Sequence, residues 1–164
     1  MRQAPSNHLF VVRTGPENRP SVSRRLAPLG CIEPLEGTDA LLLSLPMDRE
    51  ESQSSWRQAQ EIVGAAGTVQ PVLVDEEGEA HYPTGEISIR FAEPLGDDEL
   101  RRFAARHDLR LLRRNEFVPQ QAVFQPLDGP ASYLPEIVKK IERQGAAKAV
   151  WANTLSRYQR LASR

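Results

Sequence analysis

The chain has 164 residues, 40% of them hydrophobic and 26% charged, with 21 Lys or Arg against 22 Asp or Glu and a single cysteine. This is the composition of a soluble globular chain long enough to bury its own core, and it excludes disordered, collagen-like and disulfide-stapled classes. No apolar run approaches the ~20 residues of a membrane-spanning helix, and "MRQAPSNHLFVVR" is not a secretory signal, so a cytoplasmic protein with no membrane partner is expected.

The near-neutral total hides an asymmetry. Residues 1–85 carry 7 Lys or Arg and 12 Asp or Glu, whereas residues 86–164 carry 14 and 10. Oppositely charged halves suggest two modules.

In chain order, "HLFVVRTG" reads as a strand. "RPSVSRRLAPLG" places Val22, Leu26 and Leu29 on one helical face; Pro28 keeps this helix short and Gly30 ends it. "CIEPLEGTDALLLSLP" gives two strands around Glu36–Asp39, with Leu41, Leu43 and Leu45 on one face, and Cys31 is read as a small buried residue after the turn glycine. "SSWRQAQEIVGAAG" carries a stripe of Trp56, Ala59, Val63 and Ala66, and "VQPVLVDEEG" is a closing strand. The acidic stretch that follows, ending near Pro83, reads as a linker in which His81 is solvated.

The second half repeats the order. "GEISIRF" alternates Ile87, Ile89 and Phe91 with Glu86, Ser88 and Arg90, the pattern of a strand with one wet face. "GDDELRRFAARHDL" opens with an Asp97 or Asp98 cap and places Leu100, Phe103, Ala104 and His107 on one helical face. "RLLRRNEFVPQQAVFQP" gives two strands joined near Asn115–Pro119. A helix carrying Leu134, Ile137, Val138 and Ile141 stops at Gly145, and "AVWANTL" is the last strand.

Both halves thus read β-α-β-β-α-β, offset by about 80 residues. The expected fold class is α+β: two tandem ferredoxin-like units, each a four-stranded antiparallel sheet with two helices on one face. The expected boundaries are residues 1–75, a linker at 76–85, and residues 86–164 with a C-terminal tail. This arrangement leaves the outer face of each sheet bare.

Catalytic patterns are missing. There is no G-x-S-x-G elbow, P-loop or G-x-G-x-x-G turn, and His8, His81 and His107 lack ligand-spaced partners, so no enzyme activity, cofactor or metal is expected. His107 reads as a structural histidine. The acidic runs at Asp75–Glu77 and Asp97–Glu99 read as linker charge and helix capping rather than as an acid–base pair. The strands "ALLLSLP" and "QQAVFQP" lack the stacked aromatics of RNA-recognition domains, so no nucleic-acid partner is expected.

The stretch from Thr84 to Leu161 resembles the N-terminal propeptide domain of subtilisin-like serine proteases. Thr84, Gly85, Glu86, Ile87, Ile89 and Phe91 match that family's opening strand T-G-E-I-x-V-x-F. Val150, Ala152 and, loosely, Asn153 match its closing V-x-x-A-x-P-N-Y, with Tyr158 later than expected and Asn153-Thr154 standing where Pro-Asn would be. The resemblance reaches the first half only through the internal repeat. It implies a non-catalytic module that binds a subtilisin-family protease, in cis or in trans, as inhibitor, folding aid or regulator. Ser88 and Arg90 would be sheet-face contacts, and Leu155, Arg157 and Tyr158 would belong to a tail entering the protease cleft. Trp151 reads as a core residue. The competing readings are a tandem small-molecule-sensing pair like the ACT modules, for which "TGPEN" is the nearest glycine turn, and a non-catalytic adaptor.

Overall fold

The computed structural model describes residues 3–46, 52–127 and 133–156. These hold eight strands and four α-helices: β1 (Gln3–Thr14), α1 (Arg19–Leu26), β2 (Cys31–Pro34), β3 (Leu41–Ser44), α2 (Ser52–Val63), β4 (Gly67–Asp75), β5 (Ala80–Arg90), α3 (Asp97–Arg106), β6 (Leu109–Arg114), β7 (Gln121–Pro126), α4 (Leu134–Gln144) and β8 (Ala149–Ser156). The class is α+β with antiparallel strands, as expected, but the strands form one eight-stranded sheet where two four-stranded sheets were expected. The chain divides into two compact units. Among the described residues, one takes in those up to Pro83 together with Thr154–Ser156, and the other those within Thr84–Asn153.

In the first unit the strand order is β2-β3-β1-β4. Phe10 of β1 stands between Leu43 and Pro71, and Val12 between Leu41 and Val69. Phe10, Val12, Leu41, Leu43 and Val69 are buried, as are Val22 and Leu26 of α1 and Trp56, Ala59 and Val63 of α2. Helix α2 packs against β1, β4 and α1. It is fastened to the start of β4 by polar groups. The Trp56 indole N–H donates to the Val69 carbonyl, Gln60 Oε1 accepts the Val69 N–H at 2.9 Å, and Gln60 Nε2 donates to the Gly67 carbonyl at 3.3 Å. Helix α1 starts with Pro20 in its first turn, where no N–H is needed, and ends two residues before Pro28, which keeps it short.

Three expectations for this half are corrected. The outer face of its sheet is not bare: Val11, Leu35, Ala40 and Val72 form a second buried cluster, with Leu9, Leu42, Ala80 and Tyr82 packed against it. Cys31 is exposed, because it opens the edge strand β2 instead of facing the core. The acidic stretch is a hairpin, not a free joint. Leu73 pairs with His81 and Val74 with Ala80 across a turn in which Gly78 takes a φ of 84°. Asp75 Oδ1 accepts the N–H groups of Glu77 and Glu79, both at 2.9 Å, and Oδ2 stands 2.8 Å from His81 Nε2. The His81 hydrogen bond, followed by the Glu79 N–H, holds the Asp75 carboxyl below its ordinary range. His81 is therefore a partner of Asp75, with 17% side-chain exposure, and not a solvated linker residue.

In the second unit the order is β8-β5-β7-β6. Ile87 pairs with Phe124 and Ile89 with Ala122; Leu111 also pairs with Phe124. The core is Ile87, Ile89, Phe91, Leu109, Ala122, Phe124 and Val150, together with Leu100, Phe103 and Ala104 of α3 and Leu134 and Ile141 of α4. Helix α3 is capped by Gly96, one residue earlier than expected. That leaves Asp97, Asp98 and Glu99 inside the first turn, where they complement the helix dipole, and Glu99 Oε1 accepts the Gly96 N–H at 3.3 Å. Helix α4 stops where the sequence places the stop: Gly145 is left-handed, with a φ of 66°, a conformation glycine adopts without a side-chain clash.

Phe103 stacks on three rings: Phe91 edge-on at 4.9 Å, Phe124 at 5.7 Å and His107 at 4.4 Å between centroids. His107 closes α3, and its Nε2 is buried without a hydrogen-bond partner. Burial, then repulsion from Arg106 and Lys140, pushes its pKa down, against a smaller opposing pull from Asp108. A histidine held neutral gives stability that is whole above the free imidazole value of about 6.5 and is lost as pH falls through the lower folded value. The urea midpoint of the second unit should therefore fall between pH 7.5 and pH 5.5. The Phe103 stack can be kept and the charge removed in His107→Phe, which should shrink that fall; an unchanged pH slope in the variant would assign the dependence elsewhere.

Candidate functional site

Strand alternation sends Glu86, Ser88 and Arg90 to the side of β5 opposite Ile87 and Ile89, hence away from the core that α3 and α4 cover. The paired residues on this face are Val123 opposite Ser88 and Gln121 opposite Arg90 on β7, with Arg110 on β6 opposite Gln125. A register shift between Leu111 and Arg113 brings Arg113 opposite Val123 and onto the same face. Trp151 and Asn153 of β8 join it, because Val150 and Ala152 alternate with them toward the core.

These side chains form one hydrogen-bonded row. Ser88 Oγ donates to Asn153 Oδ1 at 2.6 Å, and Asn153 Nδ2 donates to Glu86 Oε2 at 3.3 Å. Arg113 closes the row with a two-pronged pair, Nη1 to Glu86 Oε1 at 3.1 Å and Nη2 to Oε2 at 2.9 Å. Arg113 first, and Asn153 after it, hold the Glu86 carboxyl below its ordinary range, while Glu86 raises Arg113. Beyond Ser88, the Arg90 guanidinium lies 5.9 Å from the centre of the Trp151 ring and donates to Gln121 Oε1 at 3.3 Å. Arg110 donates to Gln125 Oε1 at 2.7 Å. This face thus carries three guanidinium groups, of which only that of Arg113 is paired with a carboxylate, and Arg90, Arg110 and Arg113 are all exposed.

Of the residues expected here, Arg90 is exposed on the expected face. Ser88 is on that face too, but it is 3% exposed and its hydroxyl is committed to Asn153, so it braces the row and offers no surface of its own. An amide oxygen is also no base, so this serine is not activated as a nucleophile. Trp151 is half-buried on the polar face and not in the core. Leu155, expected in the tail, lies instead within β8, which runs on to Ser156. Arg157 and Tyr158 lie outside the described residues. Asn153, Glu86, Arg113 and Gln121 complete the row. The alternation of β5 and β8 points to the first two, whereas Arg113 is hidden by the register shift.

Among the described residues no three His, Cys, Asp or Glu side chains gather as a metal site, and no helix is long and apolar enough to cross a membrane. No protein-family model matches the chain, and no curated protein matches it in sequence.

Proposed function

We propose that the chain is a non-catalytic, propeptide-like module of two ferredoxin-like units that binds the catalytic domain of a subtilisin-family serine protease through the polar face of its second unit. The observation that carries this reading is the arginine-bearing row on β5, β7, β6 and β8, on the side of the sheet away from both helices. The β-α-β-β-α-β order of that unit and its T-G-E-I-x-I-x-F opening supply the resemblance. The row is already cross-braced, so a partner meets it with little side-chain ordering left to do. Arg90 and Trp151 offer a guanidinium and a flat aromatic, the residue types that anchor protein interfaces, and Gln121 holds Arg90 in place.

In this reading the sheet face supplies affinity and the chain beyond β8 supplies inhibition. A stable interface needs about 800 Å² from each partner, more than a short peptide provides alone, whereas only an extended segment fits a protease cleft. Removing residues 157–164 should leave binding to a subtilisin-type catalytic domain within about threefold and abolish inhibition of small-peptide cleavage. A truncated chain that inhibits as well as the full one would remove the tail from the mechanism.

A further inference from the structure

The connection between β6 and β7 holds Phe117 almost wholly in solvent, at 93% exposure. A lone exposed apolar residue is ordinary on a protein surface. This one is displayed on a pinned backbone. Asn115 Oδ1 accepts the Phe117 N–H at 2.9 Å and the Val118 N–H at 3.1 Å. The Asn115 N–H donates to the Gln121 carbonyl at 3.0 Å, and the Gln121 N–H donates back to the Val118 carbonyl at 2.9 Å. A further bond from the Phe91 N–H to the Gln120 carbonyl, at 2.8 Å, ties the loop to the end of β5. The ring is thus held out by a loop that has already lost its freedom, which lowers the entropic cost of inserting it into a partner.

Position adds the second argument. The loop returns into β7 at Gln121, the residue that holds Arg90 beside Trp151. Phe117, Val118 and Pro119 therefore form an apolar tip at the end of the sheet where the arginine-bearing row also ends. Aromatic and arginine side chains are where the binding energy of an interface concentrates. Charge complementarity then specifies the receiving surface: an apolar pocket with a carboxylate on its rim, to meet the exposed Arg90.

We infer that Phe117 is the anchor of the docking face and inserts into an apolar, carboxylate-rimmed pocket on the surface of the protease catalytic domain, outside its cleft. This rests on the protease reading above. The test is calorimetry of the full chain and of Phe117→Ala against a mature subtilisin-type catalytic domain whose nucleophilic serine is replaced by alanine. Thermal melting and sedimentation velocity of each chain alone accompany it. The expected result is binding by the unsubstituted chain, at least tenfold weaker binding by Phe117→Ala, which is about 1.4 kcal/mol, and equal melting midpoints. Binding by both chains within twofold overturns the anchor and leaves the protease reading standing. No binding by the unsubstituted chain overturns the protease reading and the anchor with it. A lower midpoint for Phe117→Ala shows a folding role and overturns the anchor, as does self-association that the substitution abolishes, which gives the loop to a second copy of the chain.

Discussion

Gly67→Ala is expected to destabilise the first unit by about 2–4 kcal/mol, the upper range for overpacking. Gly67 opens β4 in extended conformation, directly opposite Thr14 of β1. A Cβ at this position would stand 2.2 Å from the Arg13 carbonyl oxygen, 3.1 Å from its carbonyl carbon and 3.0 Å from the Thr14 Cβ. The obstacle is backbone, so no rotamer change relieves it. Parting the strand ends would also strain the Thr14 hydroxyl bond to the Ala66 carbonyl, 2.8 Å, and the grip of Gln60 on Gly67 and Val69. Gly64, three residues earlier, is the control. Its φ of 58° is left-handed, but a Cβ there meets nothing within 4 Å. Gly64→Ala should therefore cost only the conformational ~1–2 kcal/mol. Denaturant melts followed through Trp56 fluorescence in a Trp151→Phe background compare the two, and a Gly64→Ala loss equal to or above that of Gly67→Ala would contradict the close β1–β4 approach.

Much of the fold is legible in hydrophobic period, and the contrast between the two first strands shows why. "GEISIRF" alternates strictly, and its sheet has one apolar and one polar face. "LFVV" in β1 does not alternate. Leu9 and Val11 pack in one cluster, while Phe10 and Val12 are buried among the residues facing α1 and α2. A continuous apolar run is the signature of a strand buried on both sides, so the covered outer face of the first unit was written in those four residues. The same contrast directs the functional reading to the second unit, whose wet face is polar by sequence.

Other features are not carried by period. The Asp75–Glu79 segment has the acidic, glycine-containing composition of a solvated joint, but one inward carboxylate collects two backbone N–H groups and His81 to make a turn. The Glu86–Arg113 pair depends on the register shift in β6, which period two does not announce. The role of Asn153 depends on β8 lying beside β5, a long-range pairing. Phe117 stands out only once the loop is seen to leave it uncovered.

The proposed docking surface for a protease is the polar face of the second unit, and not its helical face. Charge reversal on each side separates these possibilities. Arg90 is exposed on the polar face, and Lys139 is exposed on α4. Neither belongs to the buried core, so both reversals should leave the fold intact. Affinity for a subtilisin-type catalytic domain is measured by calorimetry for the full chain, Arg90→Glu and Lys139→Glu. Binding should be at least 30-fold weaker for Arg90→Glu, about 2 kcal/mol, because the substitution removes the Trp151 contact and sets two carboxylates, with Glu86, on one face. A change within twofold is expected for Lys139→Glu. Loss of binding through Lys139→Glu with Arg90→Glu unaffected, or no binding by the unsubstituted chain, would overturn docking through this face.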